Sequence, residues 1–463
     1  MGTRKLRERQ EGLWYQAELP TAPGHPFYKR LNEVLDKGGF DLFCESNCAE
    51  FYHEKLGRPS LAPGLYFRVM MIGFFEGLDS ERGIAWRLAD SLTLRQFLGI
   101  GLDERTPDHV TISRTRRLID AETHQRIFLW VLERLAQGGL IKGKTIGVDS
   151  TTLEANAAMK SIVRKETGED WKEYLERLAK DAGMDNPTAE DLRRFDKQRK
   201  DKKVSNDEWE SPTDPDSRIA KMKDGTTHLA YKAEHVVDVE TDLVLSATIA
   251  PANHSDAETL CDSVAQAQLN MQAARSKAEI KEVVADKGYH KASTLELCTA
   301  LEFRTYIPEP KRRHRSRWAD KPAGQREAMY ANRRRVRGAR SKKLQRLRSE
   351  LTERTFAHVC ETGGARRTWL RGLLKVAKRY LMQVAARNLG LILRKLFGMG
   401  TPRGLQGLGG LFWSLYLAMR THWSRWYAHQ IAMAKDSLFR FLRVLPLQAI
   451  WFVAQKSTKT TGC

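Results

Sequence analysis

The chain has 463 residues and an excess of positive charge, with 78 Lys and Arg against 57 Asp and Glu, a formal net charge of +21. At roughly 100–200 residues per domain, this length predicts two to four domains, and a hydrophobic fraction of 41% argues against a wholly disordered chain. An isoelectric point near 9.7 indicates a polyanionic partner, either nucleic acid or an anionic membrane surface.

The uncharged stretches are too short to cross a membrane. Residues 404–419 form a run of 16 and residues 444–455 a run of 12, whereas a spanning helix needs about 20 apolar residues. The first residues, MGTRKLRERQ, are too charged for the apolar core of a signal peptide. The 6 cysteines are scattered along the chain, which suits a reducing cytosol. We therefore expect a cytoplasmic protein with no membrane partner.

Much of the positive charge lies in one segment. Residues 311–354 contain 17 Lys and Arg but 4 Asp and Glu, a net charge of +13. A smaller basic cluster comprises Arg114, Arg116 and Arg117. A charge run usually indicates a solvated helix face, but the length and single sign of this segment favour contact with nucleic acid.

The N-terminal third is predicted to be helical after an arm at residues 1–62. Apolar residues from Leu65 to Phe75 recur at spacings of three and four, and Ser80 and Ser91 can each cap a following helix. Thr106 is a predicted N-cap with Pro at the first helical position, opening the helix that carries the basic cluster. A helical domain at 63–135 is thus expected, and its helices fit either a helix-turn-helix unit or a bundle used for dimerisation.

The central part has the pattern of a mixed sheet. We predict a strand at 140–148 ending on Asp149, a hairpin of 233–239 and 243–249, a strand at 282–285 ending on Asp286, and a strand at 303–307. Helices separate the later strands, and a charged insertion at 155–230 follows the first. This order predicts an α/β fold with one mixed sheet and resembles an RNase H-like core. The expected catalytic domain spans 140–395, and a helical tail spans 396–463.

Three acidic residues have the placement that catalysis would need. Asp149 and Asp286 end successive strands, and Glu353 lies on a helix within the basic region. Carboxylates at strand ends converge on one edge of a sheet, and they are hard oxygen ligands suited to Mg²⁺ or Mn²⁺. Two such ions can support phosphodiester chemistry. The alternative roles are a turn or helix cap for each Asp, and a surface ion pair with Lys343 or Arg346 for Glu353.

Several segments in order resemble a DDE-type transposase of a bacterial insertion sequence. The segments are 74–87 (FFEGLDSERGIAWR), 147–157 (GVDSTTLEANA), 285–289 (ADKGY), 353–359 (ERTFAHV) and 363–372 (GGARRTWLRG), with shorter likenesses at 214–216, 223–225 and 231–232. The resemblance covers about residues 5–395. One departure concerns the third acid: Arg346 stands four residues before Glu350 rather than before Glu353, and Cys360 stands where the family often has Lys.

The resemblance implies an enzyme that cleaves DNA at transposon ends and transfers the freed 3′-OH to target DNA. It implies that Asp149, Asp286 and Glu353 are the catalytic residues and the ligands of two Mg²⁺ or Mn²⁺ ions, with Glu350 as the reserve for Glu353. The implied partners are double-stranded DNA, as terminal inverted repeats and as target, and a second copy of the chain in a homodimer at the bacterial nucleoid.

Eleven arginines are the predicted DNA contacts. They are Arg114, Arg116, Arg117, Arg312, Arg313, Arg333, Arg334, Arg354, Arg366, Arg367 and Arg371. Two other functions fit the same residues: a catalytically inactive, DNA-binding derivative of such an enzyme, and an RNase H-like nuclease that cleaves without strand transfer.

Overall fold

The structure is a computed structural model that describes residues 24–52, 60–200, 205–222, 225–311 and 321–403, with 415–416, 419–424 and 426–427 of the C-terminal tail. The chain divides into two compact units, Met1–Met399 and Gly400–Cys463. In the second unit the described residues from 415 onward are helical, and Trp423 and Trp426 have exposed side chains. Within the described residues, the helices are too short or too polar to span a bilayer.

The first unit contains fourteen described α-helices. They are α1 Pro26–Lys37, α2 Phe40–Cys48, α3 Pro63–Glu76, α4 Glu81–Asp90, α5 Leu92–Leu98, α6 His109–Leu118, α7 Ala121–Gln137, α8 Trp171–Asp181, α9 Ala189–Gln198, α10 Asp256–Ala273, α11 Ala292–Ala300, α12 Ala323–Val336, α13 Ala339–Phe356 and α14 Leu373–Phe397. A π-helical segment, Ala357–Thr362, follows α13 directly.

Eight described strands form two sheets. They are β1 Thr145–Glu154, β2 Val163–Arg164, β3 Trp209–Glu210, β4 Arg218–Lys221, β5 Thr227–Asp238, β6 Leu243–Pro251, β7 Glu282–Val284 and β8 Arg304–Tyr306. The main sheet has the order β4-β5-β1-β7-β8, and β6 also pairs with β5. The β1–β5 and β5–β6 pairs are antiparallel, whereas β7 and β8 continue the sheet in parallel with β1. The fold is therefore mixed α/β.

Helices cover both faces of the main sheet. Successive residues of a strand point to opposite faces: Asp149 of β1 contacts α13, and the adjacent Ser150 contacts Asp256 at the start of α10. The long helix α14 packs against β6 and also against α3 and α7. The N-terminal helices and the sheet consequently belong to one compact unit, and the boundary between domains at 63–135 and 140–395 remains a prediction.

Local signals predicted some helix starts correctly. The side chain of Ser80 accepts a hydrogen bond from the Gly83 N–H and caps α4, and Ser91 caps α5. The predicted cap at Thr106 was wrong, because Asp108 accepts from the Thr111 N–H and α6 begins after it. A carboxylate is at least as good an N-cap as a hydroxyl, so the helix starts later.

The first strand begins and ends five residues later than predicted, at Thr145 and Glu154. It does not end on Asp149 but continues to Glu154, because antiparallel pairing with β5 persists as far as the pair Glu154–Ala230. The insertion is correspondingly shorter than 155–230, since β4 and the first residues of β5 belong to the main sheet. The remaining insertion contains α8 and α9, whose apolar sides form a small core of their own around Leu175, Ala179 and Leu192.

Candidate active site

Asp149 and Asp286 lie at the same edge of the main sheet. The parallel pairing of β1 with β7 ends at the pair Gly147–Val284, and each Asp stands two residues further along its own chain segment. Adjacent strands are about 4.8 Å apart, so this register brings the two acids side by side where β7 ends and β1 continues. The negative charge of Asp286 is among the causes that raise the pKa of Asp149.

The carboxylate of Asp149 is held by three donors. The backbone N–H of Ser150 donates to Oδ1 at 2.9 Å, while the guanidinium of Arg348 and the hydroxyl of Thr352 donate to Oδ2 at 2.9 and 3.0 Å. Burial of the site raises the pKa of Asp149, and the positive charge of Arg348 opposes that rise. The carboxylate therefore has a fixed orientation at the sheet edge.

A glycine in β1 allows Arg348 to reach Asp149. A Cβ atom at Gly147 would lie 2.9 Å from Cγ of Arg348, a separation shorter than real side chains adopt. Helix α13 therefore passes directly over this point of the strand. Arg348 itself is buried, with 9% of its surface exposed, and its Nε has no hydrogen-bond partner among the described residues.

His235 of β5 lies opposite Asp149 and holds α13 against the sheet. It pairs with Asp149 across β1 and β5, and its ring stacks on Phe356 with centroids 4.2 Å apart. Its ring nitrogens form hydrogen bonds with the hydroxyls of Thr355 at 3.0 Å and Tyr380 at 2.8 Å. Complete burial lowers its pKa to about 3, so His235 is neutral near pH 7. Its role here is to join the sheet to α13 and α14.

Asp286 begins a short turn after β7. Its Oδ1 accepts a hydrogen bond from the Gly288 N–H at 2.7 Å, and the same turn buries Tyr289, whose hydroxyl donates to Glu234 at 2.8 Å. The side chain of Asp286 is partly exposed at the sheet edge. Asp286 therefore has the turn-forming role that the sequence offered as its alternative, and it also lies beside Asp149.

Glu353 and Glu350 both lie on exposed parts of α13. Glu353 directly follows Thr352 and accepts a hydrogen bond from Ser349 at 2.9 Å, whereas Glu350 forms an ion pair with Arg354. A residue advances about 100° around a helix. Glu353 therefore lies about 100° beyond Thr352, and Glu350 lies about 160° from it. Both glutamates consequently lie outside the face that carries Arg348 and Thr352. Among the described residues, the hydrogen-bond and ion-pair partners of these glutamates are Ser349 and Arg354, and neither partner contacts the two aspartates.

The described residues contain no group of three acidic, histidine or cysteine side chains close enough to hold a metal ion. The structure brings together two of the three predicted ligands, Asp149 and Asp286. Their carboxylates are the kind of ligand that Mg²⁺ and Mn²⁺ prefer. Two of the three predicted ligands are therefore placed where they could bind such an ion. The joint metal role of Asp149, Asp286 and Glu353 stays a prediction.

Comparison with known protein families decides the class. Residues 16–118 match a family described as a transposase domain (DUF772), and residues 181–389 match a family described as a transposase DDE domain. The chain belongs to the DDE-type transposases. These families indicate a function in transposition and a nuclease-type enzyme, and DDE transposase domains generally use divalent metal ions. No curated protein and no solved structure matches the chain.

The match to the DDE domain includes some of the candidate acids of this transposase but not all of them. Asp286 and both candidate glutamates lie within the DDE match, whereas Asp149 lies before residue 181. The assignment of Asp149 consequently depends on the strand register and on its contacts with α13, a helix that lies wholly inside the matched range.

The predicted DNA-contact arginines fall into different environments. Arg312 and Arg313 lie outside the described residues. Arg114, Arg117, Arg334, Arg367 and Arg371 are exposed. Several of the predicted arginines form ion pairs within the chain: Arg333 with Glu309, Arg354 with Glu350 and Asp242, Arg366 with Glu361, and the exposed Arg367 with Glu154 at 3.6 Å. An exposed arginine can meet phosphate directly, whereas a paired one must exchange its partner first.

Arg116 is the exception among these arginines, because it is buried. Its side chain is 4% exposed and forms an ion pair with Glu81 of α4, itself 11% exposed. Arg116 is therefore too buried to contact DNA as predicted. In α6 it links two helices of the transposase domain, and the exposed Arg114 and Arg117 remain the candidates for phosphate contact.

Replacing Arg116 with Ala is expected to lower the free energy of unfolding by about 3–5 kcal/mol, since Glu81 would be left buried without its partner. Replacing the exposed Arg114 with Ala should change it by no more than about 0.5 kcal/mol and should weaken DNA binding instead. Urea unfolding and a DNA-binding titration on both variants make the comparison. A stable Arg116→Ala variant with weakened DNA binding would restore Arg116 as a DNA contact.

Two contacts of the site were not predicted from the sequence. Arg348 and Thr352 stand four apart in α13, on the face that buries Leu344 and Leu351. The available signal was a charged residue at a position where the helical period requires an apolar one. It was obscured because the segment is rich in arginine throughout.

Proposed function

We propose that this transposase cleaves DNA at transposon ends in a Mg²⁺-dependent reaction and joins the freed 3′-OH to target DNA. The observation that carries the proposal is that Asp149 and Asp286 each follow the paired ends of β1 and β7 by two residues, at one edge of the sheet, in a chain that belongs to the DDE-type transposases. Glu353 is proposed as the third acid, because residues 353–359 resemble the segment that carries the family's catalytic Glu and because Glu353 adjoins Thr352, a contact of Asp149.

The strand order supports an RNase H-like core. Three antiparallel strands, β6, β5 and β1, are followed across the sheet by β7 and β8 in parallel with β1. In such a sheet the carboxyl ends of the parallel strands form a binding edge. Both aspartates lie at that edge, so the topology is consistent with the resemblance in the sequence.

The proposed roles of the residues follow from their contacts. Asp149 and Asp286 would hold the divalent ions, which when bound supply Lewis-acid stabilisation of the charge on the phosphate. Arg348 and Thr352 keep Oδ2 of Asp149 in one orientation.

A basic surface continues from the acids along β1. Residues 366–368 lie beside the end of this strand, joined to it by hydrogen bonds between the backbones of Glu154, Arg366 and Thr368. At about 3.3 Å per residue, the five residues from Asp149 to Glu154 span about 17 Å. The exposed Arg367 lies over the ring of Trp369, 5.0 Å from its centroid, and forms an ion pair with Glu154 at 3.6 Å that a phosphate would replace. We propose that DNA phosphates follow this surface.

The remaining parts of the proposal concern assembly and place of action. Because two transposon ends must be processed, we propose a homodimer that binds double-stranded DNA as inverted repeats and as target. The excess positive charge supports binding to the DNA of the nucleoid in a bacterial cytoplasm.

The test uses the purified full chain, a linear DNA carrying the inverted repeats that flank its gene, and a supercoiled target plasmid. In MgCl₂ we expect nicks that expose 3′-OH groups at the repeats, followed by products in which these ends are joined to the plasmid; EDTA is the matched control. Nicks without joined products would support the RNase H-like nuclease instead. Specific binding without nicks in MgCl₂ or MnCl₂ would support the inactive derivative.

A further inference from the structure

A buried polar network lies on the α10 face of the sheet, opposite Arg348. It is centred on Lys232 and Glu234 of β5, whose side chains are 6% and 2% exposed. Glu234 pairs across the sheet with Ser150, and Lys232 pairs with Thr152. Because strand residues alternate between faces, these side chains share the face of Ser150, directly beside Asp149.

Asp256 connects this network to the first candidate acid. Its Oδ1 lies 2.7 Å from Nζ of Lys232 and accepts a hydrogen bond from the hydroxyl of Ser150 at 2.8 Å. Lys232 also donates to the hydroxyl of Thr259 at 3.0 Å. The ion pair thus fixes the start of α10 against the residue that follows Asp149.

The same carboxylate also reaches the second candidate acid. A Cβ atom built on Gly288 would lie 2.9 Å from Oδ2 of Asp256 and 3.0 Å from Oδ1 of Asp286, so these two oxygens lie no more than about 6 Å apart. Carboxylates within this distance repel each other. The ammonium of Lys232, bound to the other oxygen of Asp256, offsets that repulsion.

Glu234 fixes the turn that carries Asp286. Its Oε2 accepts hydrogen bonds from Tyr289 and Thr259, each at 2.8 Å, and its Oε1 accepts from Ser263. Tyr289 lies three residues after Asp286. Because Lys232 lies 3.6 Å from Glu234, a single ammonium group connects the supports of both candidate acids.

We infer that Lys232 and Asp256 are positioning residues for the metal-binding edge: their ion pair holds Ser150 and the Asp286 turn so that Asp149 and Asp286 converge on one cation. The inference rests on the proposed function, because it takes these two aspartates as ligands. Groups that orient metal ligands typically change metal affinity or activity by about 10–100-fold when they are removed.

Two variants distinguish positioning from a simple charge effect. Asp256→Asn removes a negative charge near the edge and Lys232→Met removes a positive one, so electrostatics alone would weaken cation binding in the first and tighten it in the second. Positioning predicts that both variants bind Mn²⁺ about 10-fold more weakly. The dissociation constant for Mn²⁺ is measured on the full chain, without DNA, by electron paramagnetic resonance of the free ion.

The matched control is Asp262→Asn, which removes an exposed carboxylate from the same helix and should leave Mn²⁺ binding unchanged. Ser150→Ala provides a third variant that leaves no buried charge unpaired and should also weaken binding. Thermal unfolding and DNA binding are measured on every variant. Tighter Mn²⁺ binding by Lys232→Met, unchanged binding by Asp256→Asn and Ser150→Ala, or losses that only follow a fall in melting temperature would each overturn the inference.

The readout separates this inference from the proposed function. Mn²⁺ binding is measured without catalysis, so a wild-type chain that binds Mn²⁺ but makes no nicks contradicts the proposed function alone. A wild-type chain that nicks and joins DNA, with Mn²⁺ binding unaffected by Asp256→Asn and Ser150→Ala, contradicts the positioning role alone.

Discussion

Replacing Asp149 or Asp286 with Asn is expected to reduce Mg²⁺-dependent nicking at the transposon ends by at least about a thousandfold. Loss of a charged metal ligand removes several kcal/mol of transition-state stabilisation, and each 1.4 kcal/mol or so corresponds to a factor of ten in rate. Nicking is measured on end-labelled DNA under single-turnover conditions. Binding to the same DNA should stay close to that of the wild type, because neither residue belongs to the basic surface.

The two variants should differ in stability, which separates catalysis from folding. Asp149 accepts hydrogen bonds from the buried Arg348 and from Thr352, and a hydrogen bond to a charged group contributes about 1.5–3 kcal/mol. Asp149→Asn should therefore lower the free energy of unfolding by roughly that amount. Asp286 accepts only a backbone hydrogen bond within its own turn among the contacts described, so its variant should lose activity with little loss of stability.

Retained nicking by either variant would remove that residue from the catalytic set. Asp262→Asn is the control for a carboxylate lost from the surface, and its nicking rate should match that of the wild type. If Asp286→Asn alone kept its activity, the neighbouring Asp256 would become the alternative carboxylate at that end of the edge.

Alternation and turn signals allowed most of the central sheet to be predicted. The hairpin of β5 and β6 and the short strand β7 were expected near their observed positions, because β-branched residues there stand between clear turn residues. The position of β1, which ends at Glu154 rather than at Asp149, was not predicted. Polar residues from Ser150 to Glu154 give little hydrophobic signal, and they form a strand because β5 offers a pairing partner over the whole length.

The site itself was only partly predictable for a different reason. A sequence pattern can put Asp149 and Asp286 at one sheet edge, since strand direction and register are enough for that. It cannot show which helix passes over the edge. The contact of Arg348 with Asp149 spans about two hundred residues of chain, and it depends on the absence of a side chain at Gly147.

The charge arithmetic was informative about the partner but not about individual arginines. Arg114 and Arg116 are two residues apart in one basic cluster, yet one is exposed and the other is buried against Glu81. Net charge over a segment indicates what the surface attracts. The helical period then decides which members of the segment face the solvent, and one turn of α6 contains both kinds.

Replacing Glu353 with Gln is expected to reduce nicking by about a thousandfold, whereas Glu350→Gln should change it by less than about twofold. The two positions lie on one helix, so the pair of variants is matched in chemistry and in exposure. Glu353 adjoins Thr352, which donates to Asp149, so a third carboxylate at this position would complete the proposed ligand set. Glu350 is engaged with Arg354, an exposed helical pair that contributes only about 0.3–0.5 kcal/mol to stability.

The reverse pattern of activities would assign the third acid to Glu350. Nicking at the wild-type rate in both variants would exclude both glutamates, because the reaction would then need a charged ligand from neither. Mn²⁺ binding to the Glu353→Gln variant adds a direct measurement. A larger dissociation constant in the absence of DNA indicates that Glu353 joins Asp149 and Asp286 at the edge before any substrate is present. An unchanged constant, combined with lost nicking, indicates that the glutamate engages only in the complex with DNA.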